Sequence, residues 1–296
     1  MIFNRAISDK AYAKINLYLD VTKKRDDGFH DIKSIMQSVS LCDKLEIRLS
    51  EQHEDSLICN VPGIPTDSSN LIIKAADAYR KAINKSFGIH VNLNKKIPSS
   101  AGLAGGSSDA AATLRILNKL NKNPLDEPMM LEIAASVGSD VPFCYVGGTV
   151  LCEGRGEKLT RLDDCPNMNI VIAIKGDGVS TPKAYKTVDE TYGDFSSSRD
   201  EGRIEKLLAG LKESNDAQIY SGTYNIFESV VEKERPFVGQ IKSCMLNSGA
   251  VVSMMSGSGP SVFGIFTEEK QAENAKKSLI SAGASAYICK TQKRTP

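Results

Sequence analysis

IHVNLNKKIPSSAGLAGGSSDAA (Ile89–Ala111) reads in three parts. Ile89, Val91 and Leu93 alternate with polar residues, the period of a half-buried strand. Small residues then crowd together, with glycine or serine at 102, 105, 106, 107 and 108. After them Ala110, Leu114 and Leu117 fall at i, i+4 and i+7, one face of a helix. A strand that leads through a glycine loop into a helix start makes an anion site, because free backbone N–H groups and the helix dipole point the same way. Ser107 or Ser108 is expected to cap that helix. Taken alone, the loop could equally be a tight turn packed on a neighbour. Neither GxxxxGK[ST] nor GxGxxG fits, since Gly106 is followed by Ser107, Ser108 and Asp109. Any phosphate chemistry must therefore draw its cations and base from elsewhere in the chain.

Two positions offer them. In YAKINLYLDV (Tyr12–Val21) the alternation predicts a strand, and Lys14 and Asn16, two apart, share one of its faces. Asp140 follows Gly138, where the helix predicted over 126–137 stops, and precedes Val141-Pro142. Proline disfavours the α region for the residue before it, which places Asp140 at a break, a position equally suited to capping a short turn. MSGSGPSVF (255–263) is a second small-residue turn between two strands. Further strands are expected in KLEIRLS (44–50) and IVIAIKG (170–176), and a helix in DSSNLIIKAADAYRKAI (67–83). DVPFCYVGGTVLCEGRGEKL (140–159) reads as extended segments with glycine turns, and 192–202 as a serine-rich loop. The irregular alternation of strands and helices predicts an α+β protein of two domains, 1–162 and 163–296.

With 296 residues, 41% hydrophobic and 25% charged, the chain has the composition of a globular protein. Its net charge of +1 gives no broad field for nucleic acid or an anionic membrane, so neither is an expected partner. Seven scattered cysteines without a CxxC pair argue against a disulfide framework or zinc ribbon and for reduced, partly buried thiols in the cytoplasm. His30, His53 and His90 share no metal-ligand spacing. No apolar run has the length of a signal peptide core or a membrane span.

Together, the glycine-serine loop, AKINLYLDV and MSGSGPSVFGIF resemble the phosphate loop, N-terminal motif and C-terminal motif of the GHMP kinase superfamily, which includes galactokinase and the homoserine and mevalonate kinases. Within it, KKRDDGFHDIKSIMQSV, VGSDVPF and EGRGEKL resemble the kinases that phosphorylate a cytidine-diphosphate-linked methylerythritol. The resemblance implies a two-domain fold, with an N-terminal domain like ribosomal protein S5 domain 2 and a ferredoxin-like C-terminal domain. It also implies ATP with Mg²⁺, and a small-molecule acceptor. By motif position, Lys14 and Asp140 would form the catalytic pair. Pro98, Ser99, Ser100, Ala101, Gly102, Leu103, Ala104, Gly105, Gly106, Ser107 and Ser108 would wrap the phosphates, with Asn70 and Lys95 on the adenine side. Asn16, Phe29, His30, Thr181 and Tyr185 would bind the acceptor, Phe29 and Tyr185 on opposite faces of the cytosine. Mg²⁺ ligands are not assigned, although Ser107, Ser108 and Asp109 are near in sequence. Two positions depart from the family pattern, Phe29 where Tyr is common and Ile226 where Asp is frequent.

Overall fold

The computed structural model describes residues 5–193, 195 and 202–294. In chain order, β1 (Ala6–Lys24), β2 (His30–Ser50) and β3 (Ser56–Cys59) precede α1 (Leu71–Ala82) and β4 (Gly88–Asn94). Three helices follow, α2 (Gly105–Leu120), α3 (Glu127–Val137) and α4 (Val141–Val146), then β5 (Thr149–Gly154), β6 (Lys158–Arg161) and β7 (Asn169–Ile174). Next come α5 (Thr181–Tyr192), α6 (Arg203–Glu213), α7 (Asp216–Ser221), β8 (Tyr224–Asn225), α8 (Glu228–Glu234) and α9 (Phe237–Asn247). The chain ends in β9 (Val252–Met255), β10 (Val262–Phe266), α10 (Glu269–Ser281) and β11 (Ser285–Lys290). The serine-rich stretch 196–201 lies outside the described residues.

The chain forms two compact units that interleave in sequence. One comprises 1–13, 42–98 and 104–146, and the other 14–41, 99–103 and 147–296. Strands β1 and β2 each belong partly to both, which accounts for their 19 and 21 residues.

In the first unit, Lys44–Ser50 of β2 pairs antiparallel with β4, and β3 pairs parallel with β4. Leu45, Ile47, Val91 and Leu93 of the sheet are buried against Ala75, Ala76 and Tyr79 of α1 and Ala110, Leu114 and Leu117 of α2. The helical and strand periods read from the sequence thus mark the core faces. Asn70 caps α1, its side chain accepting from the backbone N–H of Ile72, and Asp126 caps α3. The expected serine cap on α2 does not form. The helix begins earlier, at Gly105, behind Ala104 at φ 56°, and no side chain caps it. Ser107 and Ser108 lie inside the first turns, and Ser108 Oγ donates to the Tyr12 carbonyl. Residues 141–146, expected to be extended, are helical. Pro142 sits at the second helical position, where its missing N–H sacrifices no hydrogen bond.

In the second unit, 32–37 of β2 pairs with β5, β5 pairs with β6, and β8 adds parallel to β1. A separate sheet has the order β11-β7-β10-β9, all antiparallel. Counting only its own strands, that order is 4-1-3-2, from the β-α-β-β-α-β pattern of a ferredoxin-like fold. Helices α9 and α10 pack on this sheet, with Val238, Ile241, Met245, Ala275 and Leu279 in the core. Ile226 is buried there too, an apolar packing position. Among the described residues no helix is long and apolar enough to cross a membrane, and all seven cysteines are free thiols.

Candidate active site

In the second unit the strand residue Lys14, loop segment 99–103 and the 256–260 turn meet. The Lys14 backbone N–H donates to Leu103 O at 3.1 Å. Ser261 N donates to Ala101 O, and Ser256 Oγ donates to Gly102 O, both at 3.3 Å. Gly102 has φ 76°, and a Cβ there would collide with the Ser256 carbonyl oxygen. The two small-residue stretches are therefore small because their backbones touch.

Lys14 and Asn16 share a face, as their spacing requires. Lys14 Nζ donates to Asn16 Oδ1 at 2.7 Å, and both residues are buried. Asn16 Nδ2 donates to Ser34 Oγ at 2.8 Å, and its backbone N–H reaches Ser256 Oγ. The Lys14 ammonium lies 3.4 Å from where a Gly257 Cβ would stand, so a cation is held against the turn. Asn225, next to Ile226, holds that turn. Its Nδ2 donates to the carbonyls of Met255 (2.7 Å) and Gly257 (2.9 Å), and its Oδ1 accepts from Phe227 N (3.0 Å).

The same unit contains the aromatic residues. Phe29 is 53% exposed, with the Arg155 guanidinium 5.1 Å from its ring centre. His30 stacks on Tyr185 at 4.7 Å and 29°, and Tyr185 meets Phe227 edge-on at 4.8 Å. His30 and Tyr185 thus touch directly, leaving no gap for a base between those two rings. Asp189, four residues after Tyr185 on α5, bonds His30 Nε2 at 2.7 Å and Lys24 Nζ at 2.6 Å. Burial pulls the Asp189 carboxyl upward, but those two bonds outweigh it and hold it below the ordinary value. Helical i, i+4 spacing from Tyr185 was the signal that could have marked Asp189. Thr181, exposed at the start of α5, shares a 2.9 Å hydrogen bond with Ser258.

In the first unit lies the other end of the loop. There Ala104 is left-handed (φ 56°) and the uncapped first turn of α2 follows, whereas Ser100 (54°) and Gly102 (76°), also left-handed, belong to the second unit. Successive N–H groups in such a run converge on an anion. Ser99, Ser100 and Gly106 are exposed, whereas Ala101 and Leu103 are buried. Asp140 is half-buried just before α4, and its carbonyl accepts from Cys144 N at 3.0 Å. The N-cap reading of this residue therefore holds for its backbone. Asn70 serves α1, as its cap and through a bond from Nδ2 to Pro65 O. Lys95 is buried, with ion pairs to Asp43 and Asp109. Neither pairing was legible in the local pattern.

Models of known families match two stretches, the GHMP kinases N terminal domain at 70–148 and the GHMP kinases C terminal at 199–285. A 4-diphosphocytidyl-2-C-methyl-D-erythritol kinase of Caldicellulosiruptor bescii is 41% identical over 91% of this chain and 93% of its own. One of Acetivibrio thermocellus is 40% identical over 97% of this chain and 99% of its own. Among solved structures, a 4-(cytidine 5'-diphospho)-2C-methyl-D-erythritol kinase superposes with a TM-score of 0.79 at 29% identity, covering 96% of this chain and 99% of that one. The two-domain α+β fold, the phosphate-type loop and these relatives agree: the chain belongs to the GHMP kinases, within the family of 4-diphosphocytidyl-2-C-methyl-D-erythritol kinases.

Proposed function

We propose that the chain transfers the γ-phosphoryl group of ATP to the C2 hydroxyl of 4-diphosphocytidyl-2-C-methyl-D-erythritol, giving the 2-phosphate, in the non-mevalonate route to isoprenoids. The observation that carries this reading is the loop over 98–108, left-handed at three alternate positions and opening on an uncapped helix of 16 residues. That backbone suits phosphates better than any neutral ligand. The names of relatives at about 40% identity supply the acceptor. In this reading 1–162 is the nucleotide-binding portion and 163–296 the second domain, and the chemistry takes place in the cytoplasm.

Asp140 accepts the proton of the attacking hydroxyl, and Lys14 supplies positive charge as the oxygen attacks phosphorus. The transition state is loose, so positioning and electrostatics contribute more to the rate than proton abstraction does. The buried bond from Lys14 Nζ to Asn16 Oδ1 fixes the direction of the ammonium. Asn16 thereby acts beside the acceptor by orienting the cation. Phe29, with its exposed face, and Tyr185 flank the cytosine, and His30, fixed by Asp189, meets its edge. Thr181 lines the same side. Mg²⁺ would travel with the nucleotide and lend charge to the phosphates. Ser108 is committed to Tyr12 and Asp109 to Lys95, so among these three Ser107 fits a phosphate-bound ion. The decisive variant is Asp140→Asn, for which kcat should fall roughly 10²-fold or more with little change in ATP affinity. Wild-type turnover in that variant would remove Asp140 from the mechanism.

A further inference from the structure

Beneath the first turn of α2, three charged side chains are buried together. Lys95 Nζ donates to Asp43 Oδ2 at 2.6 Å and to Asp109 Oδ2 at 2.7 Å. The three residues are 7%, 0% and 3% exposed. Asp43 is otherwise well served, because its Oδ1 accepts from the backbone N–H groups of Lys96 and Ile97. Asp109 is not, since its Oδ1 is buried without a hydrogen-bond partner among the described residues. Burial raises the Asp109 carboxyl, and Asp43 adds to that against the pull of Lys95, so it reaches about 8. A buried ionic cluster with an unsatisfied oxygen is a poor device for stability alone, since well-packed apolar side chains commonly do as well or better.

The cluster's position gives it a use. A Cβ on Gly105 would stand 3.2 Å from Lys95 Nζ and 3.0 Å from Ile97 Cγ2. The ammonium is thus packed against the residue that opens α2, and any side chain larger than glycine there would press on it. A cation at a helix N-terminus is opposed by the helix dipole, so Lys95 needs its two carboxylates to stay there. Asp109 lies four residues, one turn, further along the same helix. Asp43 fixes the chain just before the loop through Lys96 and Ile97.

We propose that Lys95, bridging Asp43 and Asp109, is a positioning residue for the phosphate-binding turn at 105–108, acting on the nucleotide through its phosphates and not through its base. This role replaces the adenine-side contact that family resemblance implied for Lys95, and it rests on the nucleotide-binding reading of the loop. The ammonium clamps the exit of β4 to the start of α2, and the N–H groups of that turn keep their aim while the loop is empty or filled.

The test compares three ligands on one variant. Lys95→Met/Asp109→Asn removes the ammonium and its hydrogen bond to Asp109 at nearly constant volume and leaves Asp43 its two backbone donors. Calorimetry with ADP, adenosine and inorganic tripolyphosphate, alongside circular dichroism, separates phosphate from base. ADP and tripolyphosphate should bind roughly tenfold more weakly, as expected for the loss of a charge-assisted anchor, while adenosine changes less than about twofold. A tenfold loss for adenosine with tripolyphosphate unchanged would overturn the inference in favour of a base contact. No change in all three would overturn it in favour of packing alone. If the double variant fails to fold, Asp109→Asn carries the same comparison, with a loss of about threefold expected for the two phosphate ligands and none for adenosine. Wild-type protein that binds neither ADP nor tripolyphosphate would refute the kinase reading itself and this inference with it; otherwise the variant-to-wild-type ratio reads the inference alone.

Discussion

Gly102→Ala perturbs the contact that joins the two small-residue stretches. Gly102 sits at φ 76°, in the left-handed region, and an L-residue there costs about 1–2 kcal/mol. A methyl group at this position would also run into the Ser256 carbonyl oxygen and come within 3.3 Å of Gly259 O. Both obstacles are backbone and cannot swing away as a side-chain end would. Overpacking of that kind adds about 1–3 kcal/mol. The sum is about 2–5 kcal/mol if the loop stays in place. If the loop yields instead, the stability loss shrinks, but residues 99–103 move away from Ser256 and the loop proposed to hold the phosphates loses its shape. Gly283→Ala isolates the first contribution, because Gly283 has φ 79° and nothing within 4 Å of a new Cβ. Urea unfolding of both variants and the KM for ATP decide the matter. Gly102→Ala should be clearly the less stable of the two, or should raise KM for ATP several-fold. A stability loss equal to that of Gly283→Ala with an unchanged KM would refute the close contact.

Two further outcomes follow from buried polar groups. Asn225→Ala leaves the carbonyls of Met255 and Gly257 and the N–H of Phe227 without their side-chain partner, which should cost about 2–4 kcal/mol in urea unfolding; a loss below about 1 kcal/mol would mean that the turn does not depend on it. Asp109 bears on pH dependence, because its folded-state pKa of about 8 lies above the ordinary 3.8. The folded protein then binds more protons than the unfolded one across that interval, so this group erodes stability as pH rises from about 4 to about 8. Asp109→Asn removes the slope, and its advantage over wild type in urea midpoint should be larger at pH 8 than at pH 5. An advantage that is constant or shrinks with pH would contradict the raised value.

Local periodicity was enough for the strand–loop–helix at 88–120, because Ile89, Val91, Leu93, Ala110, Leu114 and Leu117 each face one core. It was not enough where geometry depends on distant groups. Ala104 as a left-handed N-cap carries no signal of its own, and neither does the close approach of Lys95 and Ile97 to Gly105 just after it. The ion pairs of Lys95 bridge 52 and 14 residues, beyond any window of pattern. Residues 141–146 lie in a stretch that reads as extended segments with glycine turns, yet they form a helix whose second position accommodates Pro142. The candidate site divides similarly. Lys14 beside Asn16 follows from a period of two. The hold of Asn225 on the 256–260 turn, and of Asp189 on His30, emerges only once the chain is folded.

The most direct measurement is ADP release by the purified protein with ATP, Mg²⁺ and a panel of acceptors: 4-diphosphocytidyl-2-C-methyl-D-erythritol, homoserine and mevalonate. The proposed function requires ATP-dependent formation of the 2-phosphate of the cytidyl substrate, with kcat/KM at least roughly 10²-fold above either other acceptor, the discrimination expected when a site's polar and stacking groups go unused. Equal turnover of homoserine or mevalonate, or no ADP release with the cytidyl substrate, would contradict it.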